Sequence, residues 1–252
     1  MQQDENMGGD RLYQSLAREL IAELKAGKYA VGTRMPAERE LALAYGVSRP
    51  TVREAIISLE VQGLVEVRIG SGTYIMRLPH QEDNPGFATS AIEIAEARLL
   101  FEGEAAALAA IQISDAELLE LENLLEAIGL ENCDPSGTDK ADREFHQVIA
   151  GATRNTAVQD CVSRLWDMRA QSPESALLHA KARAANVRPV VDEHAAVLSA
   201  LRNRDPNAAR TAMRAHITAA LDGLLFATEE QAVEEARQAV QAKRERTARA
   251  IA

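Results

Sequence analysis

Residues 36–76 constrain the fold most, because their hydrophobic period changes from helical to extended. A short helical pattern begins near Pro36, which suits a first helical turn, and stops at Gly46. Ser48 is placed to cap the next helix, whose apolar face is made by Val52, Ala55, Ile56 and Leu59. Because the connecting turn has about three residues, we expect a helix-turn-helix.

Two β-branched runs follow this pair of helices. Residues 64–68 and 73–76 flank a glycine-containing turn at 70–72, which is typical of a two-stranded wing. A further amphipathic helix is expected between Arg11 and Gly27. The N-terminal part, residues 10–78, is therefore predicted to be a winged helix-turn-helix domain that binds DNA.

The rest of the chain has helical period almost throughout. A length of 252 residues allows two cores, and an aromatic content of only 4% favours packed helices. We predict a linker at 79–87, an all-α antiparallel helical bundle of six or seven helices at 88–228, and a charged helical tail at 229–252. Two helix starts are marked by Ser114 with Glu117, and by Asp205 before Pro206. The fold class is mainly α.

Charge is distributed unevenly along the chain. The net charge is −10, yet residues 10–77 carry ten Lys and Arg against eight Asp and Glu. A mildly basic head on an acidic body is compatible with binding double-stranded operator DNA. The absence of a long apolar run and of a signal peptide predicts a cytoplasmic protein without a membrane partner.

Polar donors gather at the start of the second helix of the motif, which is the part that faces the bases in a helix-turn-helix. Arg49 and Arg53 are four residues apart, and arginine can donate two hydrogen bonds to guanine. Ser48 and Thr51 suit phosphate or base contacts, and Arg39 could reach the same groove. The alternative is that these arginines are ordinary solvated charges.

The same residues resemble the GntR family. The resemblance rests on PAEREL (36–41), VSR (47–49), VREA (52–55), LE (59–60) and GSGT (70–73). It implies a homodimeric repressor in which Arg39, Arg49, Arg53 and Gly70 touch DNA, with Ser48 and Thr51 assisting.

Four residues of the helical part form a possible metal site. Asp142 and His146 are four residues apart on one predicted helix, and His194 and His216 lie on two later helices. Side chains of facing helices can build a metal site in a bundle core, and one carboxylate with three imidazoles suits a divalent transition metal. The alternative is a set of solvated or hydrogen-bonded histidines.

This region resembles the FCD ligand-binding domain of the FadR subfamily, through EAR (96–98), DREFH (142–146), DEH (192–194) and MRAHI (213–217). The resemblance implies that the aspartate and three histidines hold Zn, Ni, Mn or Fe beside a small organic acid. We expect Arg98 and Arg169 to contact that effector. The alternative for Arg98 is a surface ion pair with Glu102.

Further short matches, among them RLYQ (11–14), VEVR (65–68) and LW (165–166), resemble regulators of hexuronate use. They imply control of sugar-acid catabolism genes by a hexuronate or a derivative. Two alternatives are a metal-responsive regulator and a metal-dependent hydrolase fused to a DNA-binding head. The sequence has no HExxH, nucleophile elbow or Walker motif, so we expect no enzyme.

Overall fold

Two separate units make up the computed structural model, which describes residues 11–68, 71–80, 89–132, 139–184 and 191–226. The described part of the first unit ends at residue 80, and that of the second begins at residue 89. Within these ranges no helix is both long enough and apolar enough to cross a membrane. The predicted wing residue Gly70, most of the predicted linker and the predicted tail from 229 to 252 lie outside the described residues.

The N-terminal unit, called the head below, packs three helices against a hairpin. The predicted wing is confirmed, because the two strands pair antiparallel with Val65 opposite Ile75 and Arg68 opposite Gly72. Apolar residues of all three helices and both strands form one buried cluster, which includes the predicted face of the third helix. The elements are α1 (Leu12–Lys25), α2 (Glu38–Tyr45), α3 (Arg49–Val61), β1 (Val65–Arg68) and β2 (Gly72–Ile75).

The start of α2 differs from the sequence prediction. The helix begins at Glu38, and Pro36 lies before the N-cap residue Ala37 rather than in the first turn. The reason is local, because the Glu40 carboxylate accepts a hydrogen bond of 2.9 Å from the backbone N–H of Ala37. The end is as predicted: Gly46 adopts φ 66°, a conformation that glycine enters without steric cost.

The segment before α2 also pairs with the wing. Arg34 forms an isolated bridge to Tyr74, and the N–H of Met35 donates to the carbonyl of Thr73 at 2.8 Å. The sequence pattern indicated only a loop here. These backbone bonds tie the entrance of α2 to the hairpin.

The C-terminal unit, called the sensor domain below, is helical throughout its described residues. Its helices are α4 (Ala91–Gln112), α5 (Asp115–Glu131), α6 (Lys140–Ala152), α7 (Thr156–Gln171), α8 (Pro173–Ala184), α9 (Val191–Arg202) and α10 (Pro206–Phe226). The helix α4 packs most extensively on α10, and it also contacts α6, α7 and α9. Four of these helices carry the residues of the candidate metal site or their partners.

Both predicted helix starts of the sensor domain are confirmed. Ser114 accepts from the N–H of Glu117, whose carboxylate accepts from the N–H of Ser114 at 2.8 Å. Asp205 accepts from the N–H groups of Asn207 and Ala208, both at 3.0 Å. The caps therefore set where α5 and α10 begin.

Candidate functional site

Three imidazoles and one carboxylate converge inside the sensor domain. Asp142 and His146 lie one turn apart on α6, whereas His194 comes from α9 and His216 from α10. All four side chains are buried, and one potential ligand atom from each lies within 4.8 Å of the others. Oδ1 of Asp142 is 3.0 Å from Nε2 of His194, and Nε2 of His146 is 3.3 Å from Nε2 of His216. This donor set could hold a divalent transition metal.

Two glutamates orient the imidazoles from outside the cluster. Glu102 on α4 contacts Nδ1 of His146, and Glu193 on α9 lies 3.1 Å from Nδ1 of His216. These contacts leave Nε2 of each ring directed at the other. Carboxylates that bind the outer nitrogen of a metal-ligating histidine fix its tautomer and increase its basicity. Both the four donors and the two glutamates around them therefore fit a metal site.

The charges of the cluster are mutually stabilised. Burial alone raises the pKa of Asp142, but hydrogen bonds from His146 and His194 outweigh it and hold that pKa well below its usual range. Burial lowers the pKa of His216 to about 4, with the neighbouring imidazoles adding to the effect against Glu193. Burial also lowers the pKa of His146, but the charge of Glu102 and the hydrogen bonds with Asp142 and Glu102 outweigh it, so that this pKa is raised instead.

Arg98 forms the ion pair with Glu102 that its spacing indicated, but the pair is buried in the domain. Its Nε donates to Oε1 of Glu102 at 2.5 Å, and the side chains of Arg98 and Glu102 are 9% and 2% exposed. The expected surface ion pair is thus a buried one. Burial alone raises the pKa of Glu102, but the charges of Arg98 and His146 lower it to about 2. Glu102 therefore links Arg98 to the metal cluster.

Both candidate effector residues pack on an indole ring that lies next to the cluster. The guanidinium carbons of Arg98 and Arg169 lie over the ring of Trp166, at 4.2 Å and 4.6 Å from its centroid. The same ring lies 5.1 Å from the ring of His146. Arg169 also pairs with Asp139, which immediately precedes α6, at 3.0 Å. The two predicted arginines are therefore neighbours of the predicted metal ligands.

The residues of the head that were predicted to contact DNA occupy different environments. Arg39, Ser48 and Arg49 are exposed, and the Ser48 and Thr51 hydroxyls are 2.7 Å apart while Ser48 caps α3. Arg53 is buried instead, and its Nε and Nη2 donate to the two carboxylate oxygens of a single residue at 3.2 Å and 3.0 Å. That residue is Glu38 on α2. The exposed Arg49 lies farther from the same carboxylate, with its Nη2 3.9 Å from Oε2 of Glu38, so the two arginines share an acidic partner but differ in burial.

Several partners of these residues were not found from the sequence. Glu38 lies fifteen positions from Arg53, and Asp139 lies thirty positions from Arg169. Glu102 was noted only beside Arg98, and its contact with His146 spans 44 positions. Each is an acidic residue among many in the chain, so no pattern in one sequence separates it from the others.

Two families match the chain in the regions just described. The family described as "Bacterial regulatory proteins, gntR family" matches residues 12–75, which contain the head. The FCD domain matches residues 93–219, which contain the four clustered donors and both arginines.

Curated relatives match most of the chain. The "Exu regulon transcriptional regulator" of Escherichia coli is 38% identical over 82% of this chain and 82% of its own. The "Uxu operon regulator" of Haemophilus influenzae is 33% identical over 82% of this chain and 80% of its own. A "Putative L-lactate dehydrogenase operon regulatory protein" of Escherichia coli is 30% identical over 82% of this chain and 84% of its own. These relatives are regulators rather than enzymes.

Proposed function

The chain belongs to the GntR family of DNA-binding transcriptional regulators and carries an FCD domain, and on that premise we propose that it is a metal-dependent sensor of a hexuronate or a derivative. The sensor domain binds the acid beside a divalent cation, and the bound acid releases the head from operator DNA. The cation is held by Asp142, His146, His194 and His216.

The buried cluster is the observation that carries this proposal. Four polar side chains converge in a protein core, where polar groups are costly unless they are paired. The outer nitrogens of His146 and His216 contact Glu102 and Glu193, so the inner nitrogens of these two rings are held ready for a shared cation. Zn, Ni, Mn and Fe all accept such ligands, and the cation supplies open coordination positions for oxygens of the acid.

The class of acid is suggested by the neighbours of the cluster and by the relatives. Arg98 and Arg169 offer planar guanidinium groups next to His146, and a guanidinium binds a carboxylate through paired hydrogen bonds. Regulators named Exu and Uxu favour a hexuronate, such as glucuronate or galacturonate. The relative named for lactate dehydrogenase makes L-lactate the comparison acid.

For the head, we propose that Arg49 reads a base. Its side chain is 43% exposed at the first position of α3, the end that enters the major groove in this motif. Arg39, Ser48 and Thr51 are proposed to contact the adjacent backbone or bases. The set of residues proposed to contact DNA is completed by Gly70 and by Arg53, which is paired with Glu38.

We also propose that the regulator acts as a homodimer. On either side of the exposed Glu104, α4 presents four apolar side chains, of which Leu100 and Ile111 are 63% and 64% exposed and Phe101 and Leu108 are 46% and 42% exposed. These four side chains fall within about a third of the helix circumference. Exposed apolar patches on regulators commonly mark a protein contact. A variant with Leu100→Glu and Ile111→Glu is expected to sediment as a monomer.

One experiment tests the sensing proposal as a whole. The experiment measures how metal-loaded protein binds a DNA fragment from upstream of the gene that encodes the protein. The measurement is repeated in the presence of glucuronate, galacturonate, their keto isomers and L-lactate. We expect release by a uronate but not by metal alone, whereas a metal-responsive regulator would release DNA with metal alone. Metal content is compared between His194→Ala, which loses a buried donor, and His80→Ala, an exposed histidine outside the cluster. Equal metal content in both variants would reject the site.

A further inference from the structure

The guanidinium of Arg169 has an acidic partner within the protein. Its Nη2 lies 3.0 Å from Oδ2 of Asp139, and the arginine side chain is only 15% exposed. Nδ1 of His179, on α8, lies 3.7 Å from the same oxygen. One carboxylate therefore connects the start of α6 with α7 and α8.

Asp139 holds this contact in an unusual position. It is the N-cap residue of α6, where an aspartate ordinarily accepts a hydrogen bond from the second or third N–H of the helix. Its carboxylate makes no such bond, and the N–H of Ala141 donates to Glu131 instead. The backbone of Asp139 has φ 52° and ψ 27°, a left-handed conformation that aspartate enters more readily than most residues other than glycine, but that differs from the extended conformation of an ordinary N-cap residue. The pair with Arg169 thus competes with an ordinary cap.

The two arginines over Trp166 differ in how easily their partners can leave. Glu102 is 2% exposed, lies on the same helix as Arg98 and also holds His146. Asp139 is 28% exposed and stands at a helix end, where water can replace Arg169 as its partner. A carboxylate arriving at Arg169 would therefore replace its partner at a lower cost than one arriving at Arg98.

We propose that Asp139 is an internal substitute for the carboxylate of the effector. An acid that binds Arg169 displaces Asp139, and the freed carboxylate then caps α6, the helix that carries Asp142 and His146. Effector binding thereby changes the start of the helix that carries two of the metal donors. This inference deepens the acid-sensing function proposed above and rests on it.

The first test measures competition. Titration calorimetry of zinc-loaded full-length protein with glucuronate and galacturonate compares the wild type with Asp139→Asn and with Glu144→Gln. Glu144 is an exposed acid on the same helix, so its variant makes the same change in charge without touching Arg169. Because the resident carboxylate no longer competes, we expect Asp139→Asn to bind the uronate roughly tenfold more tightly. Glu144→Gln should bind like the wild type, and equal affinity in both variants overturns the inference.

The second test does not depend on the identity of the acid. In Arg169→Met the carboxylate of Asp139 is released without an effector, so hydrogen exchange in the first turn of α6 should slow relative to the wild type. The added change Asp139→Asn should reverse that slowing. Unchanged or faster exchange in Arg169→Met contradicts the inference. If no uronate binds the wild type, the sensing proposal fails while this measurement still decides the role of Asp139.

Discussion

In the head, Arg53 reaches Glu38 across fifteen positions of the chain, whereas in the sensor domain Arg98 reaches Glu102 one helical turn away. Both pairs are almost fully buried, but the residues next to them differ. The head pair joins α2 to α3 next to the exposed Arg49, while the sensor pair continues through Glu102 to His146. In the head, the buried charges thus lie next to an exposed arginine that is proposed to bind DNA. In the sensor domain, the buried charges adjoin the candidate binding groups themselves.

The sequence supplies separate optical reporters for the two regions. The single tryptophan, Trp166, lies in the sensor domain, and all four tyrosines, at positions 13, 29, 45 and 74, lie in the head. Tryptophan emission therefore follows unfolding of the sensor domain, and tyrosine signals follow unfolding of the head.

The largest effect is expected for Glu102→Ala. Removing this carboxylate leaves Arg98 as an uncompensated buried charge, and such losses cost about 3–5 kcal/mol in the free energy of unfolding. Glu104→Ala is the matched control on the same helix, because Glu104 is 49% exposed and pairs with Arg210 at the surface. We expect the control to cost about 0–1 kcal/mol. Denaturant unfolding followed by Trp166 emission measures both, and equal losses would contradict the role of burial.

Arg53→Ala should produce the next largest change, and in the other region. It leaves the carboxylate of Glu38 buried without its bidentate partner, which is expected to cost about 2–4 kcal/mol. Tyrosine signals should show the loss and Trp166 emission should not. Arg39→Ala, which removes an exposed arginine of α2, should stay within about 0.5 kcal/mol of the wild type. A loss reported by Trp166 would mean that the two regions unfold together.

Arg49→Ala separates recognition from stability within the head. The side chain is exposed, so its loss should leave the unfolding free energy unchanged within about 0.5 kcal/mol. Discrimination between operator and random DNA should fall by about 1–3 kcal/mol, as for a bidentate contact to guanine. Fluorescence anisotropy with the two DNAs measures this difference. Equal weakening on both would instead identify a phosphate contact.

The smallest effect concerns the helix caps, which differ in their dependence on pH. Ser48 caps α3 beside the Thr51 hydroxyl, whereas Ser114 caps α5 with the carboxylate of Glu117. The hydrogen bond from Arg154, helped by Ser114, lowers the pKa of Glu117 to about 2 against the effect of burial. Because the folded-state pKa is depressed, the stabilisation is present above the ordinary value of 4.5 and is lost as pH falls toward 2.

Two variants test this difference. Ser48→Ala should cost about 1 kcal/mol at neutral and acidic pH alike. Glu117→Gln should cost a similar amount at neutral pH, and its difference from the wild type should shrink as pH falls from 5 toward 2, by roughly the whole amount. Unfolding curves at several pH values provide the measurement. A constant penalty for Glu117→Gln would show that its charge contributes nothing to the cap.

The sequence by itself determined the elements whose signals are local. Gly46, Ser48, Ser114 and Asp205 act on backbone groups within a few residues of themselves, so their effect could be read from spacing alone. Even there the start of α2 was predicted too early, because Pro36 precedes the N-cap residue Ala37, whose N–H is bound by the carboxylate of Glu40. The hydrophobic periods of the helices and of the wing were equally local and gave the fold class.

The tertiary structure decided which charges meet and how deeply they are buried. Spacing placed Arg49 and Arg53 on one face, but packing of α2 on α3 buried one of them against Glu38 and left the other exposed. Spacing also paired Arg98 with Glu102, yet only the packing of α4 on α6 brought that glutamate to His146. The physical reason is that the strength of an ion pair depends on the water around it, and water is excluded by residues far away in the chain.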